Sequence, residues 1–107
     1  MSTAISNASQ ITVLARWQLA DSAQSDVLCA LGKLRLASLG EPGCLGYEVY
    51  QSMDTPQHSV LLLERYLDQA ALDAHRQSAH YQELVVGRIL PLLTARRVEF
   101  LRESDPA

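Results

Sequence analysis

The segment at residues 60–67, VLLLERYL, is apolar on both of its faces. In an extended strand successive side chains point to opposite sides. Val60, Leu62, Glu64 and Tyr66 therefore share one face, while Leu61, Leu63 and Leu67 share the other, interrupted only by Arg65. A strand of this kind asks for cover on both sides. The chain has 107 residues, enough for one domain and not two. One layer of helices covers one face of a sheet, so the second face needs a different cover.

The surrounding segments supply the remaining elements. Residues 11–19 alternate, with Ile11, Val13, Ala15, Trp17 and Leu19 on one side and Thr12, Arg16 and Gln18 on the other, which predicts a strand. Asp21 and Gln24 have the spacing of a capping box at a helix start. Val27, Leu31 and Leu34 continue as a helical stripe, Gly40 ends it, and Glu41-Pro42-Gly43 turns the chain. Residues 44–53 and 59–67 read as strands joined by a turn at 54–57. Asp68 has the character of an N-cap, with Leu67 and Leu72 spaced as a hydrophobic staple. Ser78 can cap a further helix reaching about Pro91, and residues 94–102 form a last strand. The order is β-α-β-β-α-β, an α+β, ferredoxin-like arrangement with a four-stranded antiparallel sheet. Residues 10–103 make up this domain, residues 1–9 a loose arm and residues 104–107 a frayed tail. The simplest cover for the second face of the sheet is another copy of it, which predicts a homodimer.

Several classes of function are excluded. The net charge is −3, which disfavours a nucleic-acid or anionic-membrane partner. No apolar run approaches the roughly 20 residues of a membrane span. Cys29 and Cys44 form no C-x-x-C or zinc-like pattern, and no secretion signal precedes them. They are expected to be free thiols in a reducing cytoplasm, with Cys29 a small core residue within its helix. No phosphate-binding glycine loop or G-x-S-x-G elbow is present. His75 and His80 lack the i, i+4 spacing of a helical metal pair, so no metal is expected.

The candidate chemistry lies in residues 60–93. Glu64 sits between leucines in mid-strand, either paired at a seam of the sheet or held in a pocket. Tyr66 shares its face, as a packing ring or as a site residue. His75 falls on the inner face of its helix, as a satisfied core histidine or as a base. At helical spacing Tyr81, Leu84, Val85, Ile89 and Leu92 form a buried stripe that includes Arg88. Arg88 either pairs or snorkels, or it faces a substrate oxygen. These side chains are expected to converge on one cavity.

The chain also resembles the antibiotic biosynthesis monooxygenase family of dimeric α/β-barrel proteins. The resemblance rests on ITVLAR at 11–16, EPGCLGYE at 41–48, the acid and aromatic at Glu64 and Tyr66, ALDAH at 71–75 and SAHY at 78–81. Tyr66 replaces the usual strand tryptophan, and Leu62 stands where polyketide-oxidising members carry asparagine. The first strand lacks the asparagine of haem-degrading relatives, so haem is not expected. The resemblance implies cofactor-independent oxygenation of a quinol- or anthrone-like aromatic, with dioxygen as co-substrate. His75 or Glu64 would be the base, and Tyr66, Arg88, Tyr81 and Leu62 would contact substrate. The alternatives to this leading reading are an isomerase of a small oxo compound in the same pocket, or a non-catalytic ligand-binding dimer.

Overall fold

The computed structural model describes residues 8–54 and 58–104. The strands are β1 (Ile11–Leu19), β2 (Cys44–Gln51), β3 (Ser59–Tyr66) and β4 (Leu93–Leu101). The helices are α1 (Gln24–Leu39), α2 (Gln69–Gln77) and a π-helical segment, α3 (Tyr81–Ile89), followed by a 3-10 turn at Leu90–Leu92. The four strands form one antiparallel sheet in the order β2-β3-β1-β4. This is the ferredoxin-like arrangement that the element order predicts. Positions 55–57 of the expected hairpin turn lie outside the described residues, as do 1–7 of the expected arm and 105–107 of the expected tail.

Alternation along the strands decides what the helices cover. Ile11, Val13, Ala15, Trp17 and Leu19 are all buried, as are Val60, Leu62, Glu64 and Tyr66. Val27, Ala30, Leu31 and Leu34 of α1 and Leu84, Val85 and Ile89 of α3 pack onto the lower part of that face. Ile11, Val13, Tyr66 and Leu72 form a second, smaller cluster under α2. Leu67, expected to staple to Leu72, stays exposed.

Local signals succeed and fail for identifiable reasons. Asp68 is the N-cap of α2, its carboxylate accepting from the Ala71 N–H at 2.9 Å. Ser78 serves two helices at once. Its hydroxyl donates to the His75 carbonyl at 2.6 Å and accepts from the Tyr81 N–H at 3.2 Å. The expected capping box at Asp21 and Gln24 does not form: α1 begins at Gln24 with Ala23 as N-cap, and no side chain caps it. The chain turns after β1 with Ser22 at a φ of 70°, so Gln24 is the first helical residue rather than the third, and its amide reaches Gln51 instead. Cys29, read as a core residue, is exposed on α1. Among the described residues no helix is long and apolar enough to cross a membrane.

Among the described residues, no helix covers the opposite face of the sheet. Leu14, Leu61 and Leu63 run across its middle, half-buried, in pairing register Leu14↔Leu63 and Arg16↔Leu61. Arg16, Arg65, Arg97, Glu48 and Tyr50 surround them and are exposed.

One packing flaw gives a test of the fold. Ser38 is fully buried in α1, and its hydroxyl has no hydrogen-bond partner among the described residues. An unpaired buried hydroxyl costs roughly 1–3 kcal/mol. Ser38→Ala should therefore leave the protein as stable or raise its stability by about 1 kcal/mol. Urea unfolding measures this, and a loss of more than about 1 kcal/mol would contradict the unpaired assignment.

Candidate active site

A small cavity of about 40 Å³ lies between the sheet and the helices α2 and α3. Glu64, His75 and Tyr81 line it, together with Trp17, Tyr47, Arg76, Arg96 and Phe100. Strand alternation brings Glu64 and Tyr47 here, because Tyr47 pairs with Glu64 in register across β2 and β3. The inner face of α2 brings His75, which is 2% exposed.

The Glu64 carboxyl is 6% exposed and accepts a 2.5 Å hydrogen bond from the Tyr66 hydroxyl. Burial pushes its pKa from 4.5 up to about 7; the Tyr66 hydroxyl and the Arg76 charge pull it down, and Glu41 pushes it up. Burial also raises the Tyr66 and Tyr47 hydroxyls, with the neighbouring Glu64 charge adding to both. Both phenols therefore remain protonated donors at neutral pH.

His75 is hydrogen-bonded through one ring nitrogen. Nδ1 lies 2.9 Å from Glu41 Oε2, and Nε2 lies 3.7 Å from Glu64 Oε1. A carboxylate oxygen only accepts, so Nδ1 carries the proton and Nε2 is left with a lone pair. Burial lowers the His75 pKa, and the hydrogen bond to Glu41 opposes that shift. The same Glu41 oxygen lies 2.5 Å from His80 Nε2. Tyr66, Tyr81, Tyr47 and His80 surround the His75 ring at centroid distances of 5.1–6.3 Å.

Several expected residues stand elsewhere. Arg88 does not face the cavity: its side chain is 55% exposed and lies 3.9 Å from Glu83. The reason is the π-helical winding of α3, in which the Leu90 N–H bonds back to the Val85 carbonyl. A projection at 3.6 residues per turn then assigns the wrong face. Leu62 is buried in the core with the α1 residues and does not line the cavity. Tyr66 likewise does not line it and acts through Glu64.

Other residues carry no legible sequence signal. Glu41 reads as part of a turn, and it meets His75 across 34 positions of sequence. Arg76 and Arg96 supply the cavity's positive charge, and no carboxylate pairs with either among the described residues. Arg76 lies over the Phe100 ring, 4.7 Å from its centroid. Trp17 also lines the cavity, and its buried indole N–H has no hydrogen-bond partner among the described residues. Glu41, His75 and His80 present ligand-type atoms within 4.8 Å of one another, a carboxylate and two imidazoles that the spacing of the histidines alone does not reveal.

The model of the family described as "Antibiotic biosynthesis monooxygenase" matches residues 10–86. The chain belongs to this family. Rv0793 of Mycobacterium tuberculosis, which carries a provisional monooxygenase name, is 36% identical over 73 residues, covering 68% of this chain and 70% of Rv0793. The solved Rv0793 structure superposes with a TM-score of 0.83 at 33% identity, over 92% of this chain and 99% of that one. A crystal structure described as an antibiotic biosynthesis monooxygenase superposes with a TM-score of 0.81 at 26% identity, over 89% and 99% of the two chains. A conserved protein of Methanosarcina mazei gives 0.83 at 25% identity, over 92% and 96%.

The electrostatics of the site of this family member give a pH test. A raised carboxyl pKa means that the folded state binds the Glu64 proton more tightly than the unfolded chain. The Glu64 contribution is fully present below pH 4.5 and is lost as pH rises through about 7. A shift of this size corresponds to about 3 kcal/mol. Glu64→Gln, which cannot ionise, should therefore gain stability relative to the native protein at pH 8 but not at pH 4.5. Denaturant titration at the two pH values checks this, and an equal effect at both would mean that Glu64 is not buried as described.

Proposed function

We propose that the protein is a homodimeric, cofactor-independent monooxygenase that oxidises a quinol- or anthrone-like aromatic with dioxygen. The observation that carries the reading is His75, a residue of the cavity lining whose Nδ1 is engaged by Glu41 while Nε2 makes no hydrogen bond and lies 3.7 Å from Glu64 Oε1. This is the arrangement of an oriented general base. Membership of the family and the provisional monooxygenase name of Rv0793 support the same reaction class.

The steps follow from the residues. His75 Nε2 takes a proton from the phenol or the activated carbon. The resulting anion is electron-rich enough to reduce dioxygen directly, carbon–oxygen bond formation gives a peroxide anion, and the proton held by His75 returns to it to give the hydroperoxide. Collapse of the hydroperoxide releases water and leaves a new carbonyl, so a CH2 group and one dioxygen become C=O and H2O. Arg76 and Arg96 stabilise the anion by charge, and the Trp17 N–H, without a partner among the described residues, offers a hydrogen bond. Glu64, kept partly protonated by burial, adds little repulsion to that anion.

The inner cavity of about 40 Å³ holds a few water-sized molecules, and dioxygen is of that size. A groove of about 410 Å³ lies beyond it and shares Leu72, Arg76 and Phe100 with its lining. That volume suits a small aromatic ligand. Arg76 and Phe100, in contact with each other, belong to both linings, and an exposed contact of this type is worth only about 0.5–1 kcal/mol. Its opening joins the groove to the base at little cost. Dimerisation would cover the open face of the sheet, where an apolar strip of Leu14, Leu61 and Leu63 lies inside a charged rim, the pattern of an association surface.

Two measurements test the reading. Anthrone or a naphthoquinol offered to the purified protein should consume one dioxygen per carbonyl formed, and His75→Ala should lower the rate about 100-fold with the fold intact. Turnover without oxygen uptake would instead indicate an isomerase, and binding without turnover a ligand-capture protein. Sedimentation at micromolar concentration should show a dimer, and Leu63→Glu should return it to monomer. A native protein that sediments as a monomer would remove the proposed cover of the sheet.

A further inference from the structure

We propose that Glu41, His75 and His80 form a binding site for a divalent transition cation of the zinc class. Three elements contribute: the loop after α1 brings Glu41, the inner face of α2 brings His75, and the step into α3 brings His80. Their carboxylate oxygen and two imidazole nitrogens lie within 4.8 Å of one another. Two imidazoles and one carboxylate are a donor set suited to zinc and its neighbours. The Glu41 charge lowers the cost of placing a dication here. His80 and Glu41 side chains are 24% and 16% exposed, which leaves an entry path, while His75 at 3% anchors the site in the fold.

The present contacts are hydrogen bonds of 2.9 and 2.5 Å to a shared Glu41 oxygen. A cation bound at about 2.0–2.1 Å to each ligand would spread these atoms to roughly 3.4 Å in a tetrahedral site. Side-chain rotations at His80 and Glu41 accommodate such a spread. The shell behind the ligands is also in place. With a cation on His75 Nδ1, the remaining imidazole proton sits on Nε2, which faces Glu64 Oε1 at 3.7 Å. A carboxylate behind a metal-bound histidine is the usual support for such a ligand. The bound cation thus exchanges the two ring nitrogens of His75: Nε2 becomes a donor and no longer offers a lone pair to the cavity. The site is filled only when the cation is supplied, and occupancy switches off the base assigned above.

The site stands on its three ligands and does not depend on the oxygenase reading. The test uses tag-free, chelator-stripped full-length protein titrated with cobalt(II) and followed by its visible d–d absorption. One equivalent should bind saturably, and zinc should displace it. Glu41→Gln and His80→Ala should each weaken binding at least about tenfold. Cys44→Ser should leave the spectrum unchanged, since the nearest thiol is no ligand. Circular dichroism confirms that each variant is folded. The absence of a saturable band, an unaltered affinity in His80→Ala, or loss of the band in Cys44→Ser would each overturn the proposal. One equivalent of zinc should also stop quinol turnover. If the oxygenase reading fails, the cobalt spectrum still decides the site.

Discussion

The carboxylate of Glu41 is the interaction on which the site depends. One of its oxygens accepts from imidazoles on two successive helical segments. A buried imidazole N–H without a partner would cost roughly 1–3 kcal/mol, and His75 would then have no reason to hold one tautomer. The loop that brings Glu41 into place lies hard against α2. A Cβ on Gly43 would come within 2.3 Å of the Ala71 Cβ, so only glycine permits that approach. The Gly43 carbonyl also accepts from the Leu67 N–H at 2.9 Å, which fixes the same loop to the end of β3. Backbone closeness, tautomer choice and site geometry are thus consequences of one short turn.

Most of the architecture was legible in the sequence because its signals are local. Alternation identified β1 and β3, and Asp68 and Ser78 marked the start of α2 and of the segment after it. The same alternation put Glu64 on the covered face, and the helical register of α2 put His75 opposite it. Where reading failed, the deciding fact was not local. Asp21 has the right spacing for a cap, but the turn at Ser22 delays the helix start. Arg88 lies in a stripe drawn at the wrong period. Leu62 and Tyr66 share a face with Glu64, yet α1 covers the first and Glu64 itself engages the second. Glu41 could not be found by spacing, because its partners are 34 and 39 positions away.

The charge distribution of the site has a simple logic. An acid that burial keeps near neutrality lines the cavity, and so do two arginines that have no carboxylate partner among the described residues. The arginine charges favour an anion in the cavity, and the buried acid adds little repulsion to it. Tyr47, held as a protonated phenol, adds a polar group to the lining without adding charge, and Tyr66 spends its proton on Glu64.

The π-helical winding of α3 has a consequence for how proteins of this design can diverge. A π-helix is what an α-helix becomes when it gains a residue while its ends stay fixed. Here the ends are fixed by Ser78 on one side and by the 3-10 turn at Leu90–Leu92 on the other. Length between these two points is then exchanged for orientation. A homologue shorter by one residue in this stretch would wind as an ordinary α-helix and turn a different side chain toward the cavity. A single-residue deletion, harmless to the sheet, is therefore a route by which this scaffold can change what its pocket recognises.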